Sequence, residues 1–208
     1  MTAINVVVGT SAVHMVTDGV ALRSDTYAIL GYTSKVITLP HLPAAIVATG
    51  PVGLVHRLGS TLFSRHTDVD ALMFSDALDQ DLKRLGLPLD DPTAPQGCTV
   101  RIAVIGYSRR SGHRAWCSRT GRMAPLEAGD CWSTPAVAGD VPSADRSPEA
   151  FERGMLRLIE RQRKAYPIGG PITLTTIRGE TITQKVLQRY PDRVGDIIKS
   201  PAAAGAPT

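Results

Sequence analysis

The sequence predicts an α+β chain in which two antiparallel sheets stack face to face and helices lie on their outer sides. Three observations predict it. Strand-like runs come in two batches, with helical patterns between and after them, the order expected of packed sheets with outer helices. Runs such as Val6-Val7-Val8 and Ala44-Ala45-Ile46-Val47 are apolar at both parities, which suits sheets covered on both faces. The helical stretches carry apolar residues every three or four positions.

The elements follow in order. Ala3 to Val8 and Val13 to Thr17 are β-branched runs around Gly9-Thr10-Ser11, which has turn composition, so they read as a hairpin. Gly19 to Tyr32 reads as a looser region. Lys35 to Leu39 and Ala44 to Ala48 are two further strands, broken at Pro40 and Pro43. A first helix opens at Pro51 and carries Leu54, Leu58 and Leu62 on one stripe. A second runs from Val69 to Leu85, capped by Asp68 or Asp70 and stopped by Gly86, with Ala71, Phe74, Leu78, Leu82 and Leu85 as its stripe. The Pro-rich stretch Leu87 to Gln96 connects the two halves. Thr99 to Tyr107 and Arg114 to Ser118 form a hairpin about Ser108–Gly112. A third helix starts at Ser147-Pro148, runs to Ala165, and presents Phe151, Met155, Leu158 and Ile159. Ile172 to Ile177 and Thr181 to Leu187 close the chain as a last strand pair. Residues 1–200 are expected to form a single domain, and the Ala/Pro/Gly-rich 201–208 a disordered tail.

With 208 residues the chain is long enough to bury a full core. No apolar run is long enough for a bilayer, and no basic-then-apolar leader opens the sequence, so a cytoplasmic protein is expected. Cys98, Cys117 and Cys131 are odd in number and form no CxxC, which argues for reduced thiols rather than a disulfide framework. The five histidines form no HExxH and pair with no cysteine at finger spacing, so neither a metal nor another cofactor is expected. The net charge is +4, and arginines gather between Arg101 and Arg122. No RNP, zinc-finger or helix-turn-helix pattern accompanies them, so they read as a solvated hairpin rather than a nucleic-acid surface.

Thr2 carries the most chemistry. Removal of Met1 would leave a free α-amine on the same residue as a hydroxyl, a pairing in which the amine accepts the hydroxyl proton directly or through water. Asp18 ends the second strand, and the hairpin returns it to the start of the first. Lys35 opens the third strand. A lysine beside a threonine hydroxyl lowers that hydroxyl's pKa, and an aspartate keeps the lysine charged. An alternative register uses Gly9-Thr10 as a cleavage junction with Asp25 as the acid. It places the acid close to Lys35 in sequence and spends an apolar strand as propeptide.

From Thr2 to about Leu62 the sequence resembles the proteasome β-subunit family, most of all its simpler HslV-type bacterial peptidase. The matching stretches are Thr2–Val6, Val13–Gly19, Lys35–Leu39 and Ala45–Gly50. Ile102 to Gly121 is similar to the family's middle hairpin, and beyond Gly121 the similarity is topological. The resemblance implies a four-layer αββα N-terminal-nucleophile (Ntn) hydrolase sandwich, here short of one helix in its second helical layer. It implies Thr2 as nucleophile, Asp18 and Lys35 as catalytic partners, and Gly50 as an oxyanion-hole N–H donor. Ala48 falls where the family shapes its first specificity pocket. Asp140, in Ala138-Gly139-Asp140, stands near the expected place of an accessory residue. The implied function is threonine-dependent hydrolysis of a peptide or other amide by a cytoplasmic homo-oligomer, which an ATPase unfoldase could serve. The alternative is a non-catalytic binding or structural module in an assembly.

Overall fold

Residues 2–39, 41–50, 53–65, 68–74, 80, 83–84, 100–119 and 121–198 are described in this computed structural model. Their apolar alternation resolves into twelve strands in three antiparallel sheets. The first sheet contains β1 (Ile4–Val8), β2 (Val13–Asp18), β10 (Cys131–Thr134), β11 (Pro171–Arg178) and β12 (Thr181–Arg189), in the order β10-β1-β2-β11-β12. The second contains β5 (Val36–Leu39), β6 (Ala44–Ala48), β7 (Ile102–Ser108), β8 (Gly112–Arg119) and β9 (Arg122–Leu126), in that order. A two-stranded ribbon joins β3 (Val20–Leu22) to β4 (Ile29–Tyr32). Among the described residues the helices are α1 (Leu54–Arg65), α2 (Val69–Phe74) and α3 (Pro148–Ala165), with Gln80, Lys83 and Arg84 also helical.

The expected four-layer αββα sandwich is therefore corrected to a mostly antiparallel β structure of three sheets with sparse helix. The physical reason lies in two stretches. Gly19–Tyr32 holds Val20, Leu22, Ile29 and Tyr32, residues that suit a pleated surface, and it folds as a hairpin instead of a loop. Arg122–Thr134 adds β9 to one sheet and β10 to the other, so chain assigned to the interval before α3 goes into strands. The sequence-predicted helix from Val69 is described as helix to Phe74, and most of its Leu78–Leu85 portion lies outside the described residues. So do Met1, the Leu87–Gln96 connection, Cys98 and the tail.

Three apolar clusters hold the large sheets and helices together, and a smaller fourth joins Val20 and Ile29 of the ribbon to Ile198. Between the two large sheets, Ile4, Val6, Val8, Val13 and Met15 meet Val36, Ala45, Val47, Ala103 and Ile105. Leu54, Val55 and Leu58 of α1 and Leu72 of α2 pack on Leu39, Ile46 and Val104 of the second sheet. Phe151, Met155, Leu158 and Ile159 of α3 pack on Ala3, Val7, Val16 and Leu174 of the first. Each Val, Leu, Ile, Phe or Met side chain among them contributes about 1.5–3 kcal/mol when fully buried. Helix α3 begins where the sequence dictates, with Ser147 Oγ accepting the Ala150 N–H at 3.3 Å and Pro148 in the first turn. Among the described residues no helix is long and apolar enough to cross a membrane.

Candidate functional site

The β1–β2 hairpin builds the first half of the site. Its register pairs Ile4 with Thr17, so the chain just before β1 runs beside Asp18. The Ala3 N–H donates to Asp18 Oδ1 at 2.8 Å, which fixes the backbone next to Thr2 against that carboxylate. Thr2 itself is buried. On β1 the residues Ile4, Val6 and Val8 face the second sheet, and continuing that alternation aims Thr2 the same way.

The second sheet supplies the other half. Val36 pairs with Val47, so Lys35 stands opposite Ala48 at the end of the β5–β6 pair. Lys35 Nζ donates to Asp18 Oδ1 at 3.0 Å, with Lys35 9% and Asp18 0% exposed at the side chain. One carboxylate oxygen thus serves both an ammonium and a backbone N–H. The other, Asp18 Oδ2, is buried and without a hydrogen-bond partner among the described residues. Burial drives the Lys35 ammonium below the ordinary lysine value of 10.5, while the charge and hydrogen bond of Asp18 oppose the shift. A lysine so placed is a short-range positive charge in a site of low dielectric, suited to stabilising an alkoxide.

Past Ala48 the chain is pinned and then turned. The Thr49 N–H donates to Arg101 O at 2.7 Å, and the Arg101 N–H donates to Thr49 Oγ1 at 2.8 Å. Gly50 then takes φ +126°, a backbone that a side chain resists, and a Cβ there would stand 3.1 Å from Leu54 Cδ2. Gly50 is thereby exposed at the same end of the sheet as Lys35.

Asp18 and Lys35 are brought together beside the Thr2–Ala3 backbone, and Gly50 lies at the Lys35 end of the second sheet, while the other sequence candidates fall elsewhere. Asp140 is exposed, and its carbonyl, rather than its carboxylate, is held by Arg161 Nη2 at 2.9 Å. Thr10 lies in the β1–β2 turn at the far end of β1, with its hydroxyl donating to Asp145 at 3.0 Å. Asp25 sits in the β3–β4 turn beside Arg23. In the arginine-rich hairpin, Arg109 pairs with Glu180 and Arg114 with Glu127. Among the described residues no group of three or more His, Cys, Asp or Glu has the arrangement of a metal site.

Sequence reasoning missed the supports behind the site. Gln162 on α3, fully buried, exchanges two 3.0 Å hydrogen bonds with Asn5 of β1 and donates to Pro135 O at 2.8 Å. The Gly169-Gly170 turn is held by Arg163 and Asp192, which carry no sequence signal that ties them to it. Scanned against protein-family models, the chain matches none, and it matches none of the curated proteins it was compared with.

Proposed function

We propose that the chain is a threonine-dependent amide or peptide hydrolase of proteasome-like type, with Thr2 as nucleophile once Met1 is removed. The observation that carries this reading is the buried Asp18 oxygen shared by Lys35 Nζ and the N–H next to Thr2. Thr2 Oγ attacks the substrate carbonyl, and its proton passes to the threonine's own α-amine, directly or through a water. The Lys35 charge lowers the hydroxyl's pKa, and Asp18 keeps that charge in place. The Gly50 N–H receives the oxyanion. Collapse of the tetrahedral intermediate breaks the C–N bond, and the leaving amine takes the proton from the α-amine. Water then hydrolyses the acyl-threonine ester and restores the hydroxyl.

The reading also assigns a cytoplasmic location, supported by the free thiols Cys117 and Cys131, and a homo-oligomer that encloses the nucleophile, with an ATPase unfoldase as a candidate partner. A second reading, a non-catalytic module in an assembly, is favoured by the outward placement of Asp140, which leaves the site without that accessory carboxylate.

One experiment separates the two. Intact mass gives the mature N-terminus, and an electrophilic probe for N-terminal threonine is applied to the parent, Thr2→Ala and Thr2→Ser proteins. Labelling and amide turnover in the parent, lost in Thr2→Ala with the fold intact, support the hydrolase. Retained Met1, or turnover that survives Thr2→Ala, refutes it.

A further inference from the structure

The turn that precedes β11 is clamped from one side and seated against Gly19, the residue after Asp18, on the other. Asp192 Oδ2 accepts the Gly170 N–H at 3.1 Å and Arg163 Nη1 at 3.0 Å, and Oδ1 accepts Arg163 Nη2 at 2.7 Å. Arg163 Nη1 also donates to Ile168 O at 2.9 Å, so the ion pair grips the turn at both ends. The Tyr190 N–H donates to Gly170 O at 3.1 Å, and the Arg163 guanidinium lies 3.9 Å from the centre of the Tyr190 ring. The Tyr32 hydroxyl donates to the Asp192 carbonyl.

Neither side of the turn has spare room. On the clamp side, a Cβ on Gly169 would press on Asp192 Oδ2. One on Gly170, at φ +70°, would stand 2.8 Å from the Tyr32 ring and 3.3 Å from Val20 N. One on Gly19, the residue after Asp18, would stand 2.6 Å from Pro171 Cγ. Ile172 then pairs directly with Asp18 in the β2–β11 ladder. The turn is a wedge between the ion pair and the segment Asp18-Gly19-Val20, and close-packed interiors transmit displacement rather than absorb it.

We propose that Asp192 is a positioning residue for Asp18: with Arg163 it holds the Ile168–Pro171 turn against Gly19, and so holds the one oxygen that Lys35 and the Ala3 N–H share. The catalytic part of this inference rests on the hydrolase reading; the positioning part does not. Misplacement of a catalytic group by about 1 Å costs on the order of a hundred-fold in rate, so the clamp is expected to act on kcat.

The test compares Asp192→Ala and the gentler Asp192→Asn with Asp70→Ala. Asp70 accepts the Ser108 and Ser111 hydroxyls at 2.7 and 2.8 Å at the opposite end of the sheets, so its loss controls for general destabilisation. Two readouts are taken: kcat and KM for Thr2-dependent amide hydrolysis, and the hydrogen-exchange rate of the Ala3 amide by NMR. Asp192→Ala is expected to lower kcat by roughly ten- to a hundred-fold with KM little changed. It is expected to speed Ala3 exchange by on the order of ten-fold relative to Asp70→Ala, because local opening frees that N–H. Asp192→Asn keeps an acceptor for Gly170 and falls between, and it carries the test should Asp192→Ala not fold. An Ala3 rate that matches the Asp70→Ala control overturns the proposal whatever the activity shows. A parent with no Thr2-dependent turnover removes the hydrolase reading alone, and the exchange rates still decide whether Asp192 positions Asp18.

Discussion

Asp18→Ala isolates the interaction on which the site depends. The substitution leaves the Lys35 ammonium buried without its counter-charge and the Ala3 N–H without its acceptor. Exposed ion pairs contribute about 0.2–1 kcal/mol, but a buried charge stripped of its partner costs about 3–5 kcal/mol. The second figure applies here, because Lys35 is 9% and Asp18 0% exposed. For a chain of this size that loss lowers Tm by roughly 6–20 °C. The pH dependence has a definite sign. Without Asp18 the Lys35 pKa falls further, so the unfolded chain takes up a proton that the folded one refuses. Stability is therefore lowest below the folded-state pKa and recovers as pH rises toward the ordinary 10.5. Urea unfolding of the parent, Asp18→Ala, Lys35→Met and the double variant at about pH 7 and about pH 10 gives both quantities. The double variant is expected to regain much of the loss, because no charge is left stranded. A loss under about 1 kcal/mol that does not change with pH would falsify the buried-pair account.

Three further outcomes follow from the same structure. Gly50→Ala, forced to φ +126° with Leu54 Cδ2 at 3.1 Å, should cost about 1–3 kcal/mol in chemical denaturation and also lower turnover. Gln162→Leu strands the Asn5 amide and Pro135 O inside the core and should cost about 1–3 kcal/mol for each group left unpaired, read from the shift in the denaturation midpoint. His14, whose pKa burial chiefly lowers from 6.5 to about 4, stays neutral in the fold while the unfolded chain protonates. Stability should then fall by roughly 3 kcal/mol as pH drops from about 6.5 to about 4, and His14→Gln should flatten that part of the pH–stability curve.

The residues that could be read from sequence are those whose spacing maps onto local structure. A hairpin carries Asp18 back to the chain start, a fact that sits in the β-branched runs Ala3–Val8 and Val13–Thr17 about their turn, and Lys35 stands at the head of the run that pairs with Ala44–Ala48. Helix α3 was legible from Ser147-Pro148 and its apolar stripe. The β3–β4 ribbon was not, because Gly19, Gly31 and the Ser24-Asp25-Thr26 turn dilute its short strands below any periodic signal. Strands β9 and β10 were missed for a related reason: Arg122-Met-Ala-Pro-Leu126 contains a proline, tolerated because β9 is an edge strand. The Asp192 and Gln162 supports depend on pairings across long separations, which no local pattern encodes. The expected four-layer sandwich failed on the same point, since the strands of Gly19–Tyr32 and Arg122–Thr134 were not counted.

The strand order has a consequence for how the molecule is made. The hairpin that carries Thr2 and Asp18 sits in the middle of its sheet, flanked by β10 and β11, both from the second half of the sequence. Synthesis at about 5–20 residues per second puts roughly 8–30 s between Asp18 and its ladder partner Ile172. Throughout that interval a nascent chain holds its threonine, aspartate and lysine without the neighbour that seats the aspartate. On the hydrolase reading proposed above, Thr2, Asp18 and Lys35 are all synthesised before the strand that seats Asp18, so turnover waits for β11.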